Sequence, residues 1–539
     1  MKRKDLLAIS ACVLSTFSLA GAKPIEGPPL RQAQGRPNIL FIFSDDHSTQ
    51  AIGAYEGRMT SLNPTPNIDR IANEGAIFRE SFCANSICQP SRATVLTGKH
   101  SHLNGVTYNG AKWDGSQTIF PRLLKQQAGY QTALIGKWHM HPDPTDEFDF
   151  WKVLASSGGQ GDYFNPDFHT QNGPQRLEGY STDVITDQSI QWLENRDREK
   201  PFLLMCQFKS PHVPRLPPVR NAHLYDGIVF PEPETLFDNY KNRQPYLSKH
   251  WMGLDVAKLD AIPPRGSKET PDNEHTKAIA RMTPEQRDAW HNAFDEWSQT
   301  YYDFMNSPDA KDPVKLKKFR YQRFVTSYLR CVAAVDENVG RLLQWLEDQG
   351  LENDTIVIYS SDQSYYLGEH GMAEKRWMYE ESLRMPLVIR WPGKIKPSTK
   401  VDELIQNIDY APTLLEAAGV PVPNDMQGSS LLPLAEGKKV DDWRDTIYYH
   451  YYTNGEHNVP RHDGIRTERY KLINYYTDRA FELFDLNNDP NEVMNLTDNP
   501  EYNTVVELMK KKLAEQRKEN SVPNSVFEAP YIHHGEIAR

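Results

Sequence analysis

The chain has 539 residues, 38% of them hydrophobic and 25% charged, and a formal net charge of −11. That length exceeds one ordinary core, so two or more domains are expected. The acidic balance argues against nucleic acid as a partner, and no apolar run is long enough to span a membrane, so positive charge for an anionic ligand would have to be gathered in one pocket.

The first residues stand apart. Lys2, Arg3 and Lys4 form a basic head, an apolar stretch runs from Leu6 to Leu19, and Ala20, Gly21 and Ala22 resemble a cleavage site. Residues 1–22 read as a secretory signal peptide, and residues 23–36 as a linker. The chain is therefore expected to be exported, to the periplasm or beyond. A lipoprotein signal at Cys12 is the alternative, although the apolar run before it is short. Cleavage after residue 22 takes the net charge from −11 to −13, because three cations and one anion leave. Four cysteines remain, too few for a disulfide framework; Cys206 and Cys331 lie in apolar runs and read as buried thiols.

From residue 38 onward, apolar strands alternate with amphipathic helices. NILFIF (38–43) reads as a strand ending in SDDH, and residues 65–78 as a helix. Strands follow at 130–136, ending in KWHMH, and at 201–208, ending in KSPHVP, with a helix at 182–196 between them. A long helix over about 318–350 leads into TIVIYSSDQ (355–363), and PLVIRWPG (386–393) comes after it. Such a pattern predicts an α/β fold with a mostly parallel central sheet covered on both faces, whose ligands bind beyond the carboxyl ends of the strands. Residues 215–317 break the rhythm and read as an insertion lining one wall of the pocket. The catalytic domain is expected over 37–438. A smaller α+β subdomain is expected over 439–539, with two strands and a helix near 500–518.

The polar clusters at the strand ends carry the chemistry. Asp45 with Asp46, and Asp362 with Gln363, each follow a strand directly. Oxygen ligands on loops suit Ca²⁺ or Mg²⁺; helix capping is the alternative. Lys137 and His139 are two apart, so on an extended end they point the same way. His212 sits between prolines, and Lys375 lies in EKRW, where it reads as a solvated charge unless it joins the others. Basic groups beside carboxylate metal ligands suit an anionic ester substrate.

CQPSRATVLTG (88–98) places a cysteine at a helix start with Arg92 on the same face. Cys88-Gln-Pro-Ser-Arg92 resembles the signature of the type I sulfatases, in which that cysteine is oxidised to Cα-formylglycine (3-oxoalanine). NILFIFSDDH, GKWH, SPHVP, SSDQ, LGEHGMAEKRWMYEESLRMPLVIRWPG and FELFDLNNDPNE resemble further blocks of the family, over about 37–520. The resemblance implies an alkaline-phosphatase-like fold and one Ca²⁺ held by Asp45, Asp46, Asp362, Gln363 and the modified Cys88. It implies hydrolysis of sulfate esters through a formylglycine sulfo-enzyme intermediate. Arg92 and Lys137 would fix the formylglycine diol, His212 and Lys375 would bind the sulfate and assist the leaving group, and His139 would take the proton that releases sulfate. A formylglycine-generating or anaerobic sulfatase-maturating enzyme is the implied partner. Gln363 departs from the Asn or His of many relatives, Ser364 replaces a common Gly, and GMAEKR differs from GWFDKR; both of the latter changes lie near the sulfate.

Further segments are similar to bacterial N-acetylglucosamine-6-O-sulfatases that act on glycosaminoglycans such as heparan sulfate. Sulfatases of marine polysaccharides such as ulvan are also similar. A sulfated oligo- or polysaccharide is therefore the expected substrate. His457 and His462 lie where the C-terminal subdomain of these relatives reaches the sugar, with ordinary surface histidines as the alternative. A phosphatase or phosphodiesterase of the same fold would want a second metal and a Ser or Thr nucleophile. A non-catalytic sulfated-glycan-binding protein would not need the complete set of motifs.

Overall fold

The computed structural model describes residues 35–254, 262–267 and 274–528. The signal-peptide reading of 1–22, Cys12 and nearly all of the 23–36 linker lie outside the described residues, as do parts of the insertion and residues 529–539. Among the described residues no helix is long and apolar enough to cross a membrane.

The core is a ten-stranded mixed sheet. Its centre is five parallel strands, in spatial order Thr355–Ser361, Asn38–Asp45, Phe202–Pro211, Gln131–Gly136 and Phe150–Leu154. Leu387–Arg390 continues one edge antiparallel, and the hairpin Asp167–Thr170 and Gly173–Arg176 closes the other. The mostly parallel sheet expected from the continuous apolar runs is therefore present. Alternate residues of the first strand serve opposite faces, as strand geometry requires. Ile39, Phe41 and Phe43 pack in one hydrophobic cluster, with residues of Cys88–Thr97, Phe120–Ala128 and Tyr410–Ala417. Leu40 and Ile42 pack in the other, with Pro66–Asn73, Ser181–Asn195 and Pro313–Asp348.

Several element boundaries differ from the reading of the sequence. The single helix expected over 65–78 is the helix Pro66–Asn73 followed by the strand Ala76–Phe78. Gly75 permits that break, since a Cβ there would lie 2.1 Å from the Ile389 carbonyl oxygen of the neighbouring strand. The long helix begins at Pro313, capped by the Asp312 side chain accepting from the Val314 and Lys315 N–H groups. The insertion also holds two helices, Glu274–Ala280 and Pro284–Met305, the second started by a capping box at Thr283 and Gln286.

The C-terminal part has four antiparallel strands where two were expected: Thr446–Tyr451, His462–Thr467, Tyr470–Tyr475 and Ala480–Asp485. GIRTERYKLINYY folds back on itself at Glu468 and Arg469, so one apparent strand is a hairpin. The helix Asn503–Glu519 packs Val506, Met509 and Leu513 on this sheet.

Candidate active site

Four neighbouring parallel strands deliver the site. Asp45 and Asp46 leave Asn38–Asp45, Asp362 and Gln363 follow Thr355–Ser361, Lys137 follows Gln131–Gly136, and His212 follows Phe202–Pro211. The helix Cys88–Thr97 points its first residue at the same place. All of these side chains are buried.

Each aspartate faces the others and holds a cation. Asp45, Asp46 and Asp362 each present an oxygen within 4.8 Å of the others. Lys137 Nζ donates to Asp45, Lys375 Nζ donates to Asp46 Oδ2 at 2.7 Å, and Arg92 Nε donates to Asp362 Oδ2 at 3.1 Å. Burial, opposed by Lys375, raises the Asp46 carboxyl to about 6. The Gln363 amide nitrogen touches Asp46, while its Oε1 is buried and has no hydrogen-bond partner among the described residues. Three facing carboxylates beside an orphaned amide oxygen are the hard donor set that a Ca²⁺ ion takes. The residues present thus fit the ion.

Cys88 Sγ lies 3.4 Å from Asp45 Oδ1 and 3.6 Å from Gln363 Nε2. Burial pushes its thiol up to about 12, so an unmodified sulfur here is a poor nucleophile at neutral pH. Arg92 is locked from three sides, by Asp362, by the Lys137 carbonyl at 3.1 Å and by Gln207 Oε1. His212 Nδ1 donates to the Val213 carbonyl at 2.9 Å, which aims Nε2 at Asp46 Oδ2, 3.8 Å away. Burial, aided by Lys375, Lys137 and Lys209, holds the His212 ring neutral. His139 is neutral for the same first reason, with Lys137 and Arg92 adding to it. Burial opposes the Lys375 charge, but Asp46 and Glu374 outweigh it.

The structure brings together Asp45, Asp46, Cys88, Arg92, Lys137, His139, His212, Asp362, Gln363 and Lys375. His457 sits beside this group on the turn Glu456–Asn458, half-buried, close enough for Arg376 to lower its pKa to about 4. His462 does not join them. It is fully buried, with Trp377, Tyr449, Tyr451 and Tyr475 around its ring at 5.5 to 5.8 Å. Its expected contact with the sugar is corrected to a packing role in the C-terminal sheet.

Two polar side chains at the site went unnoticed in the sequence. Gln160 accepts from Lys137 Nζ and places its amide nitrogen 3.2 Å from His139 Nε2. Lys209 is buried three residues before His212. Gln160 sits in a loop with no periodicity to mark it. Lys209 carried one weak signal, a cation placed directly after the apolar run 201–208.

The comparisons with known proteins agree with this geometry. The sulfatase family model matches residues 37–420, and a model described as N-sulphoglucosamine sulphohydrolase, C-terminal, matches 368–519. An N-acetylglucosamine-6-O-sulfatase of Bacteroides thetaiotaomicron is 43% identical over 499 residues, which is 91% of this chain and 87% of that protein. An ulvan-active sulfatase of Formosa agariphila is 26% identical over 510 residues, 88% of this chain and 78% of that one. A solved structure of a protein in complex with its substrate, D-glucosamine-2-N,6-O-disulfate, superposes with a TM-score of 0.85 at 42% identity, covering 91% of this chain and 99% of that chain. The chain belongs to the sulfatase family and is a hydrolase of sulfate esters.

Proposed function

We propose that this sulfatase removes the 6-O-sulfate of N-acetylglucosamine or N-sulfoglucosamine units in glycosaminoglycans such as heparan sulfate. One observation carries the reading: buried cationic side chains and neutral imidazoles meet around Cys88 in a chain so similar to an N-acetylglucosamine-6-O-sulfatase. Charge balance supports an anionic ester as ligand. Matched by Lys137, Lys375 and Arg92, the three aspartates form a group that is close to neutral. Ca²⁺ on Asp45, Asp46, Asp362 and Gln363 would turn it positive and release the lysines toward the sulfate.

Matured to formylglycine, residue 88 supplies a hydrated aldehyde as the nucleophile toward sulfur, and Ca²⁺ supplies the charge that favours its ionised form. The remaining work falls to side chains already in place. Lys375 and His212 bind the sulfate group. The arriving anion offsets the three lysines that keep His212 neutral, so Nε2 can take a proton from solvent and pass it to the departing sugar oxygen. His139 is the acceptor for the proton that leaves residue 88, while Arg92 and Lys137 hold that residue in position. His457 lies at the rim, where a sugar ring would reach it.

We also read the chain as exported by a signal peptide over 1–22, with catalytic and C-terminal parts meeting near residue 438. Maturation of Cys88 requires a formylglycine-generating or anaerobic sulfatase-maturating enzyme in the host. The substrate reading is tested by measuring sulfate release from 6-O-sulfated N-acetylglucosamine, from its 3-O- and 4-O-sulfated counterparts, and from ulvan oligosaccharides. The 6-O ester should be hydrolysed at least about 100-fold faster, since a misplaced ester leaves the leaving-group donor unpaired. Faster release from ulvan or from another ring position would overturn it.

A further inference from the structure

A cleft of about 240 Å³ opens onto the active site, lined by Gln160, Gly161, Asp162, Tyr163, Lys209 and His212. The inserted helix Glu274–Ala280 forms its outer wall. Two lining residues belong to the catalytic group: Gln160 contacts both Lys137 and His139, and His212 faces Asp46. A group seated in the cleft is therefore adjacent to the reacting ester.

Lys209 is the unusual feature of that wall. It is 3% exposed, and among the described residues it makes no ion pair, whereas Lys137 and Lys375 each hold a carboxylate. One of its three N–H donors reaches the Val213 carbonyl at 3.0 Å, and its ammonium sits 5.3 Å from the centre of the Tyr163 ring. Glu274 and Asp162 favour its charge from nearby without bonding to it. Asp162 is paired with Arg281 at 3.1 Å, and Glu274 is exposed at the cleft mouth. A buried ammonium with two donors unused and, among the described residues, no carboxylate in contact is costly, and an anionic ligand relieves that cost. The substrate in the solved relative carries a second sulfate, on nitrogen, besides its 6-O ester.

We propose that Lys209 is a specificity residue that receives a second anionic substituent of the substrate, a sulfate or carboxylate, while the ester to be cleaved lies against His212 and Lys375. This rests on the substrate reading above. The two sources of that anion are an N-sulfate on the same sugar and the carboxylate of an adjoining uronate.

The test uses the mature full-length enzyme and its Lys209→Met variant, which keeps the apolar stem. Three substrates are compared: 6-O-sulfated N-acetylglucosamine, 6-O-sulfated N-sulfoglucosamine, and 6-O-sulfated N-acetylglucosamine linked to a uronate. The proposal expects kcat/KM to fall about tenfold or more on one or both substrates with the additional anion, the scale of a lost charge-assisted hydrogen bond. On the singly charged sugar the loss should be several-fold smaller, reflecting only the charge that Lys209 lends to the field at His212, and an unchanged circular dichroism spectrum shows that the variant is folded. A loss confined to the N-sulfated sugar identifies the N-sulfate, and one confined to the disaccharide identifies the carboxylate. Equal losses on all three, or none, would overturn the proposal alone. If the wild-type enzyme hydrolyses none of the three, the substrate reading fails and takes this inference with it.

Discussion

Around Cys88, each of Asp45, Asp46 and Asp362 is paired with a cationic side chain. That has a consequence for metal removal. Since Asp45, Asp46 and Asp362 would hold Ca²⁺ at one end of a sheet whose two hydrophobic clusters are packed apart from them, chelation should abolish turnover while leaving the fold intact. Circular dichroism should be unchanged after chelation. Restoring Ca²⁺ to about 100 times its Kd should recover activity and raise stability by about 2.7 kcal/mol. Unfolding on chelation would contradict that separation. The sequence made most of these residues legible because they sit in short blocks at strand ends. It misplaced His462, whose aromatic surroundings come from separate strands and one loop, Trp377, Tyr449, Tyr451 and Tyr475, and converge only in the folded sheet. Gln160 and Lys209 were missed because neither a lone glutamine nor a lone lysine carries a pattern until its contacts are known.

At the scale of elements, the site depends on how closely adjacent strands approach at their carboxyl ends. Gly136 has φ +110°, and a Cβ there would lie 1.9 Å from the Gln207 carbonyl oxygen. The same oxygen accepts from the Lys137 N–H at 2.8 Å. Only glycine lets these strands meet just before Lys137 on one side and Lys209 and His212 on the other. Gly136→Ala should therefore cut kcat/KM about 100-fold, because a shift of about 1 Å in catalytic groups costs that much. Thermal unfolding should fall by only a few degrees. A fully active variant would show that the close approach does not position the site. Apolar runs revealed the parallel strands because their burial on both faces leaves an uninterrupted signature. Helix ends and hairpins were less legible. The Ala76–Phe78 strand lies in register with Leu387–Arg390, a partner more than 300 residues away.

In the whole molecule, the C-terminal sheet is bound to the catalytic part by buried charges. Arg376 donates to Glu374 and to Glu456 of the turn carrying His457, at 2.7 and 2.8 Å. Lys471 reaches Glu380 at 2.8 Å and Glu492 at 2.7 Å. Glu492 is fully buried, and burial, partly offset by Lys471, raises its carboxyl to about 7. The folded state thus holds this proton more tightly than the unfolded chain, where the value is 4.5. Its contribution is full below pH 4.5 and is lost as pH rises through about 7. Glu492→Gln lacks this titration, so its melting temperature should rise relative to the wild type by several degrees between pH 5 and pH 8. A difference independent of pH would show that Glu492 is ionised throughout.

The central claim is that residue 88 acts as formylglycine and not as a thiol. Mass spectrometry of the tryptic peptide running from Glu80 to Arg92 tests it, because that peptide holds Cys83 as an internal comparison. In active enzyme, alkylated after unfolding, Cys83 should carry the label. Residue 88 should instead show one oxygen in place of sulfur and two hydrogens. Fully active enzyme in which both positions are alkylated cysteine would contradict the account.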